Sequence, residues 1–460
     1  MTDRLLSSSA NALPIHAAPE GGLDQLPEAA RRWMEATGFK AGAGSVALLP
    51  GEAGLAGAVL GLGAPEGQGD AERALLTGAL AQALPEGDWA LDAAAGLDPT
   101  LAALGFLLGA YRFERYLTKP AKPGPRLVLP AGADESEVRL LASSVHLVRD
   151  FINTPTNDLL PDGIEAAARG VATEFGAEVS VTLGDALLEA NFPMIHAVGR
   201  ASSVAPRLID LTWGPADAPR VTLVGKGVAF DTGGLDIKPA SGMLLMKKDM
   251  GGAANVLGLA RLVMGSRLKV RLRVLIPAVE NAISANSFRP GDVLRSRLGK
   301  SVEIGNTDAE GRLILADALA LADEESPEIL VDMATLTGAA RVALGPELPP
   351  FFTDDEALAG EIALASQALH DPLWRLPLWK PYAKALASKI ADTNNVTTDG
   401  FAGSVTAALF LQGFVRNAKS WAHFDVYGWR PQAGPLGPAG GEAQGIRALA
   451  HVLAQRYGRS

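Results

Sequence analysis

Apolar runs of strand length alternate with helical patterns through the second half of the chain. Residues 221–224 and 272–276 are rich in branched apolar side chains and predict buried strands. Further strands are predicted at 329–333 and 421–426, and helices at 253–264, 313–324 and 404–415. This alternation predicts a parallel or mixed sheet covered by helices on both faces. In such folds, ligands bind beyond the carboxyl ends of the strands.

The first part of the chain has a shorter alternation of the same kind. Residues 45–49 predict a strand and residues 71–84 predict a helix. The segment 119–125, with its prolines and lysines, is the clearest cluster of breakers. Helical spacing follows over 134–151, where Asp134 or Ser136 can act as the N-cap.

We therefore expect an α/β protein of two domains. A small N-terminal α/β domain spans 1–125, and a linker with a connecting helix spans 126–155. The larger domain spans 156–460 and contains a mixed β-sheet, flanked by helices on both faces, that carries the active site. The length of 460 residues agrees with two domains, because single cores rarely grow beyond roughly 300 residues.

Composition narrows the possible chemistry. The sequence contains no cysteine, which excludes disulfides, thiolate zinc sites and a cysteine nucleophile. The six histidines are scattered and form no HExxH-like pair. A bound metal would therefore use mainly oxygen ligands, which suit magnesium, manganese or zinc.

Charge and hydropathy limit the partners. The net charge of −10 argues against a generic surface for nucleic acid or for an anionic membrane. The N-terminal residues lack a sustained apolar segment, and the apolar stretches at 41–63 and 99–111 are too short between charges to cross a bilayer. The expectation is a cytoplasmic protein without a membrane or nucleic-acid partner.

The segment 306–313, with the sequence NTDAEGRL, is the most informative stretch. On an extended backbone Asp308, Glu310 and Arg312 would point the same way, because alternate side chains share a face. Two carboxylates so close together raise each other's pKa unless a cation lies between them. A divalent metal is one solution, and a solvated loop with weakly paired charges is the alternative.

A second charged segment spans 224–255, between a predicted strand and a predicted helix. Its Lys226, Asp231, Lys238 and Asp249 lie among glycine and apolar residues. A phosphate-binding loop is disfavoured because GxxxxGK[ST] is absent. A purely structural glycine-rich turn remains possible, but it leaves four charged groups in an apolar context unexplained.

Together the two segments supply four carboxylates, those of Asp231, Asp249, Asp308 and Glu310. This number is close to what two adjacent divalent cations need. A lysine beside two cations would be driven towards its neutral amine, which can bind metal. A lysine slightly farther away would stay charged and could stabilise an oxyanion.

The sequence resembles the leucyl (cytosol) aminopeptidase family of two-metal exopeptidases. The resemblance rests on NTDAEGRL, on VGKGVAFDTGGLDIKP followed by MKKDMGGAAN, and on DMATLTGA at 332–339. The segments DFINTPTN at 150–157 and 391–408 also match. The resemblance covers roughly residues 140–435, whereas the N-terminal part matches only in position and general character.

The resemblance implies one tightly held divalent metal ion and one more exchangeable ion in each subunit. It implies that the first is bound by Lys226, Asp231, Asp249 and Glu310. The second would be bound by Asp231, Asp308 and Glu310, so that Asp231 and Glu310 bridge the pair. The ions would be Mn²⁺ or Zn²⁺, with Mg²⁺ as a further option, and they would activate the attacking water.

The same resemblance implies a catalytic cycle without histidine. Lys238 would stabilise the oxyanion, and Arg312 would hold a bicarbonate as general base, with the backbone of Gly311 and Leu336 as further anion contacts. The products would be single N-terminal amino acids released from peptide substrates. A homohexamer is also implied.

One position departs from the family pattern. Where the family commonly reads His-x-Asp-Ile-Ala-Gly, this chain has Tyr427 at the small residue. By resemblance this position lies at the pocket for the first substrate side chain, with Met246, Thr335 and Gly338. A tyrosine there would occupy space that a leucine side chain needs, so we expect a reshaped pocket.

Two alternative functions remain at this level. Some bacterial members of the family also bind DNA in a regulatory role, although the net charge disfavours it here. A two-metal phosphoesterase shares the chemistry of hydroxide attack.

Several other polar and aromatic residues are expected to be structural. His423 is expected to be a core histidine and Asp332 a supporting group, while Asn306 is expected to hold its loop. Packing roles are expected for four tryptophans: Trp374, Trp379, Trp421 and Trp429.

Overall fold

The computed structural model describes residues 2–52, 54–66, 69–119 and 123–459. Within the predicted breaker segment, residues 120–122 lie outside the described residues. The chain divides into two compact units. The first comprises Met1–His146, Gln367–His370 and Arg430–Gly440, and the second comprises Leu147–Ser366, Asp371–Trp429 and Gly441–Ser460.

The strands are β1 Leu5–Leu6, β2 Leu13–Ala18, β3 Val46–Gly51, β4 Gly54–Gly61, β5 Asp88–Leu91, β6 Arg126–Val128, β7 Glu178–Leu183, β8 Arg207–Trp213, β9 Arg220–Gly225, β10 Gly227–Asp231, β11 Arg271–Asn281, β12 Val293–Arg295, β13 Ser301–Glu303, β14 Ile329–Ala334, β15 Pro350–Phe352, β16 Trp374–Arg375, β17 Thr393–Asn394, β18 Trp421–Asp425, β19 Trp429–Arg430 and β20 Gly440–Gly441. The helices are α1 Glu28–Thr37, α2 Asp70–Leu75, α3 Gly78–Ala83, α4 Pro99–Gly109, α5 Glu135–Asn153, α6 Pro161–Phe175, α7 Ala186–Glu189, α8 Pro193–Gly199, α9 Ala240–Met243, α10 Gly251–Gly265, α11 Gly311–Glu324, α12 Gly338–Leu344, α13 Glu356–Ala368, α14 Gly403–Gln412 and α15 Ile446–Tyr457.

The first unit contains a sheet in the order β1-β6-β5-β2-β4-β3. The strand predicted at 45–49 is confirmed as β3, but the helix predicted at 71–84 is two short helices, α2 and α3. Thr77 lies at the interruption, and its Oγ1 donates to Ala74 O and Ala102 O. The bond to α4 is a tertiary contact that the helical periodicity does not reveal.

The predicted connecting helix is present as α5, which runs to Asn153 and passes from the first unit into the second after His146. The segments Gln367–His370 and Arg430–Gly440 belong to the first unit although they lie late in the chain.

The second unit is built on a mixed sheet in the order β16-β15-β18-β14-β9-β11-β8-β7, with β10 also paired to β11. Strands β18, β14, β9 and β11 are parallel neighbours, while β8, β7 and β15 introduce antiparallel pairs. Helices α6 and α10 contact this sheet as one group, with α15 packed on α10, and helices α8 and α11 contact it as another, with α14 packed on α11. The α/β fold with a mixed, helix-flanked sheet is therefore confirmed.

The predicted strands and helices of this unit are present with small shifts at their ends. Residues 221–224 lie in β9, 272–276 in β11 and 329–333 in β14. Helix α14 ends at Gln412, earlier than predicted, and the Gly413 N–H donates to Leu409 O in its last turn.

Strands β9 and β10 lie end to end along β11. Residues 220–224 of β9 pair with 271–275, and β10 pairs with 278–281 farther along the same strand. Lys226 lies at the interruption, where its N–H donates to Met333 O and its carbonyl accepts from Ala253 N–H. The backbone of Lys226 is thus fixed between β14 and the start of α10.

Gly252 allows α10 to approach this point closely. A Cβ on Gly252 would lie 2.1 Å from Met333 O and 2.8 Å from Lys226 N, both of which are backbone atoms. Gly170, in α6, offers a contrast, since no heavy atom lies within 4 Å of an added Cβ.

We expect Gly252→Ala to lower the thermal midpoint of unfolding, because the helix must move away from the sheet. Overpacking of this kind costs roughly 1–3 kcal/mol or more. Gly170→Ala is the matched control and should be neutral or stabilising by roughly 0.5–1 kcal/mol, because alanine is favoured over glycine inside helices. Equal midpoints for the two variants would contradict the close approach of α10.

Candidate metal centre

The charged residues predicted from the two sequence segments gather at the carboxyl ends of the central strands. The register aligns these ends, with Met333 opposite Gly225 and Ala334 opposite Asp425. Lys226 follows β9 and Asp231 ends β10. This edge is where ligands bind in folds with parallel strands covered by helices.

Three carboxylates converge at this edge. Asp231, Asp308 and Glu310 each offer an oxygen, and these atoms lie within 4.8 Å of one another. Asp249 lies in a 3₁₀ turn, Met246–Met250, just before α10, and Lys226 bridges it to Glu310. We call Asp231, Asp249, Asp308 and Glu310 the acidic cluster.

Lys226 is the central cation of the acidic cluster. Its Nζ lies 2.8 Å from Asp249 Oδ2 and 3.0 Å from Glu310 Oε1, and it donates to Thr335 O at 3.0 Å. Burial alone would lower the pKa of Lys226, but the charges of Asp249, Glu310 and Asp231 raise it above its ordinary value.

Glu310 is the carboxylate with the least local support. It is fully buried, and neither of its oxygens accepts a hydrogen bond from the described residues, although Oε1 is near the Lys226 ammonium. Burial, with added repulsion from Asp231, raises the pKa of Glu310 well above its ordinary value. A buried carboxylate of this kind requires a cation to remain charged.

Lys238 lies on the other side of Asp231. Its Nζ is 2.9 Å from Asp231 Oδ2 and also contacts Asp308 Oδ1. Burial would lower the pKa of Lys238, whereas the Asp231 and Asp308 carboxylates raise it. Burial together with the charge of Asp231 raises the pKa of Asp308 to about 6.

The donor set fits divalent ions. Four carboxylates face two ammonium groups, so the acidic cluster retains negative charge after both lysines are counted. Its ligand atoms are hard oxygens, and the orphaned oxygens of Glu310 lie inside it. Lys226 would add a nitrogen ligand only as its neutral amine, a form that bound divalent ions favour.

Neighbouring polar groups fix the orientation of these carboxylates. Asn281 Nδ2 donates to Asp231 Oδ1 at 2.8 Å, and Thr335 Oγ1 donates to Asp249 Oδ1 at 2.8 Å. Asn306 Oδ1 accepts from the Asp308 N–H, so its predicted role in holding the loop is confirmed. Neither Asn281 nor Asn395, which accepts from the Gly305 N–H, was identified from the sequence.

The expectation that Asp308, Glu310 and Arg312 share an extended strand is wrong. The loop ends at Glu310, which is the N-cap of α11, and Arg312 lies in the first helical turn. Arg312 is buried, and its Nη1 donates to Asn395 O at 2.6 Å. Burial lowers the pKa of Arg312 to about 10, so the guanidinium remains charged at neutral pH.

The backbone N–H groups of Gly311 and Leu336, both predicted to contact an anion, differ in whether they already donate a hydrogen bond. Gly311 begins α11, and an added Cβ there would lie 2.5 Å from Lys226 Cε, so a larger residue would displace the end of that lysine side chain. The Leu336 N–H already donates to Asp425 Oδ1 at 3.0 Å. Asp425 also accepts from the Thr337 N–H and thereby holds the loop after β14.

A cavity of about 330 Å³ opens beside the acidic cluster, and we call it the site cavity. Its walls include the four predicted pocket residues, namely Met246, Thr335, Gly338 and Tyr427. Lys226, Asp231, Lys238, Asp249 and Asp308 also line it, whereas Glu310 and Arg312 are not among its lining residues in the described part of the chain.

Two further cations line the site cavity, and neither was identified from the sequence. Lys248 Nζ lies 4.5 Å from the centroid of the Tyr427 ring, and Arg341 Cζ lies 5.5 Å from the same centroid. Burial lowers the pKa of Lys248 to about 8. The only sequence signals were the Lys247–Lys248 pair next to Asp249 and the one-turn spacing of Gly338 and Arg341.

The residues expected to be structural divide into two groups. His423 is buried, with Nδ1 2.5 Å from Asp332 Oδ1, and Trp421 Nε1 donates to Asp332 Oδ2, in agreement with core and supporting roles. The packing role expected for Trp374 and Trp379 is wrong for this chain, since they are 57% and 56% exposed.

Comparison with known proteins agrees with this architecture. The sequence profile described as "Cytosol aminopeptidase family, catalytic domain" matches residues 146–450. The profile described as "M17 aminopeptidase, N-terminal domain" matches residues 17–130. A probable cytosol aminopeptidase of Syntrophotalea carbinolica is 41% identical over 385 residues, which is 79% of this chain and 77% of that protein.

Two similar solved structures extend over nearly the whole chain. The cytosol aminopeptidase of Coxiella burnetii has a TM-score of 0.93 and 46% identity, covering 99% of this chain and 100% of that chain. The bottromycin maturation enzyme BotP, in complex with Mn, has a TM-score of 0.88 and 33% identity, covering 97% and 100%. The chain belongs to the cytosol aminopeptidase family of peptide-bond hydrolases.

Proposed function

We propose that this chain releases single N-terminal amino acids from peptides, with two divalent ions held by the acidic cluster and Lys226. The observation that supports this most directly is the buried Glu310 carboxylate, which has no hydrogen bond from the described residues and lies among other carboxylates. Family membership supplies the reaction class.

The proposed ligands divide between the two ions. Lys226, Asp231, Asp249 and Glu310 would hold the tighter one, and Asp231, Asp308 and Glu310 the more exchangeable one. Bound ions of this kind supply Lewis acidity and acidify water. Mn²⁺ is the first ion to test, because the similar BotP structure is described as a complex with Mn, and Zn²⁺ and Mg²⁺ are the others.

Lys238 is proposed to stabilise the oxyanion that forms at the scissile carbonyl. It lines the site cavity, and two carboxylates raise its pKa, so it remains an ammonium at neutral pH. A fixed positive charge in a partly buried site lowers the energy of a developing negative charge more than water does.

Arg312 is proposed to hold a bicarbonate that acts as general base. Its Nε has no hydrogen-bond partner among the described residues, so one N–H of this buried guanidinium is left to pair with an anion. The N–H of Gly311 is a further donor at the start of α11, where the helix dipole favours negative charge. The engaged N–H of Leu336 does not add support.

The homohexamer and the cytoplasmic location remain predictions. Several large apolar side chains are strongly exposed in the isolated chain, including Leu244, Val342 and Phe401 at 79%, 81% and 78%, which favours burial against another surface. Among the described residues no helix has the length and apolar character needed to cross a membrane.

We expect Asp308→Asn and Glu310→Gln to lose bound metal and activity together, because each removes a charged ligand. Even groups that only support metal ligands change affinity or activity by roughly 10- to 100-fold, so larger losses are expected here. Metal content would be measured by mass spectrometry and the rate with leucyl 4-nitroanilide. Asp217→Asn, at an exposed aspartate, is the control. Full metal content and full rate in both cluster variants would contradict the proposal.

We expect Lys238→Met to reduce kcat by roughly 10²–10³-fold with a small change in KM, since the charge acts mainly in the transition state. Metal content should be retained, because Lys238 is not a proposed ligand. Lys238→Arg should recover part of the rate. A variant that loses metal and rate in parallel would instead indicate a structural role.

We expect bicarbonate to accelerate the wild-type enzyme in CO₂-depleted buffer at fixed pH. Arg312→Ala should remove this acceleration, because the anion loses its main charge partner. Positioned general bases contribute roughly 10²–10⁴-fold, which sets the upper range of the effect. Equal stimulation of both proteins by bicarbonate would refute the role of Arg312.

A further inference from the structure

The site cavity contains two cations that form no direct ion pair with a carboxylate among the described residues. Lys248 and Arg341 both line it, and neither is within 4.0 Å of a carboxylate oxygen among the described residues. Lys248 is only 6% exposed, which is unusual for a lysine without such a partner. Arg341 is exposed on α12.

Tyr427 places the two cations together. Lys248 Nζ and Arg341 Cζ are 4.5 Å and 5.5 Å from the centroid of its ring, distances at which the ring quadrupole attracts a cation. The Tyr427 and Gly428 N–H groups both donate to Gln444 Oε1 at 2.9 Å, which fixes the backbone of this aromatic residue. The ring therefore reduces the repulsion between two like charges at one wall of the site cavity.

The site cavity consequently presents charges of both signs to one ligand. Asp231, Asp249 and Asp308 line it together with Lys248 and Arg341. Apolar side chains, among them Met246 and Val426, complete the walls and can pack against a short aliphatic stem. A ligand with a free ammonium, a stem of a few carbons and a terminal carboxylate matches this distribution.

We propose that the site cavity selects peptides whose N-terminal residue is aspartate or glutamate, with the side-chain carboxylate bound by Arg341 and Lys248. This proposal rests on the proposed aminopeptidase function and specifies its substrate class. The peptide's α-ammonium faces the acidic cluster, and the side chain extends towards Tyr427. A leucine side chain would instead bury next to two charged groups and gain nothing from them.

Arg341 is the stronger of the two proposed contacts to the substrate carboxylate because of its position on α12. Arg341 lies one helical turn after Gly338, so both residues point towards the same wall. Gly338 has no heavy atom within 4 Å of an added Cβ, which leaves room for a substrate group beside the arginine. A guanidinium also binds a carboxylate through two parallel hydrogen bonds.

The test compares kcat/KM for glutamyl, glutaminyl and leucyl 4-nitroanilides with Mn²⁺ supplied. Glutamine has the shape of glutamate without its charge, and an anilide has no C-terminal carboxylate, so any charge effect arises from the side chain. We expect the wild-type enzyme to favour glutamyl over glutaminyl anilide by roughly tenfold or more.

The variants are Arg341→Gln, Lys248→Gln and Arg341→Glu. Arg341→Gln should reduce the glutamyl-to-glutaminyl ratio of kcat/KM by roughly tenfold. Arg341→Glu should shift preference towards lysyl anilide. Lys269→Gln removes one charge from an exposed lysine that does not line the site cavity and should preserve the ratio.

Two results would overturn the assignment in distinguishable ways. Hydrolysis of leucyl and glutaminyl anilides with a glutamyl-to-glutaminyl ratio at or below one, or with a ratio that survives both Arg341→Gln and Lys248→Gln, would refute the acidic preference and leave the aminopeptidase function intact. Failure to hydrolyse any anilide after metal loading would refute the function and the preference together.

Discussion

Mutual repulsion among the buried carboxylates of the acidic cluster is the constraint on which the rest of the second unit depends. Asp231, Asp249 and Glu310 are nearly inaccessible, so water cannot screen their charges. Only closely placed cations stabilise three buried carboxylates, and Lys226 forms ion pairs with Asp249 and Glu310. The strand interruption at Lys226, the close approach of α10 and the glycine at the start of α11 all give this lysine its position.

Much of the second unit could be predicted from the sequence because its central strands are buried on both faces. Runs such as 221–224 and 329–333 have no polar alternation, and they are the central strands β9 and β14. The charged residues of the acidic cluster were also recognisable, since charged groups among glycine and apolar residues are rare without a function. The family resemblance then assigned a role to each of them.

The errors have a common physical origin in contacts between distant parts of the chain. Thr77 interrupts a predicted helix because its hydroxyl bonds to α4, and Arg312 lies in a helix because Glu310 ends the preceding loop. Lys248 and Arg341 were overlooked because only Tyr427, far from both in sequence, brings them to one wall. Asp425 likewise engages the Leu336 N–H from another strand.

The end-to-end arrangement of β9 and β10 along β11 determines which changes in chain length the spacing of Lys226 and Asp231 can tolerate. One continuous strand pairs with both, so the separation of Lys226 and Asp231 depends on ladder hydrogen bonds and on the register irregularity between Val228 and Asp231, rather than on a surface loop. Thermal motion or length changes in the surface loops beyond β11 would leave that spacing intact. An insertion between residues 225 and 231 would instead shift the pairing register and separate the lysine from the aspartate.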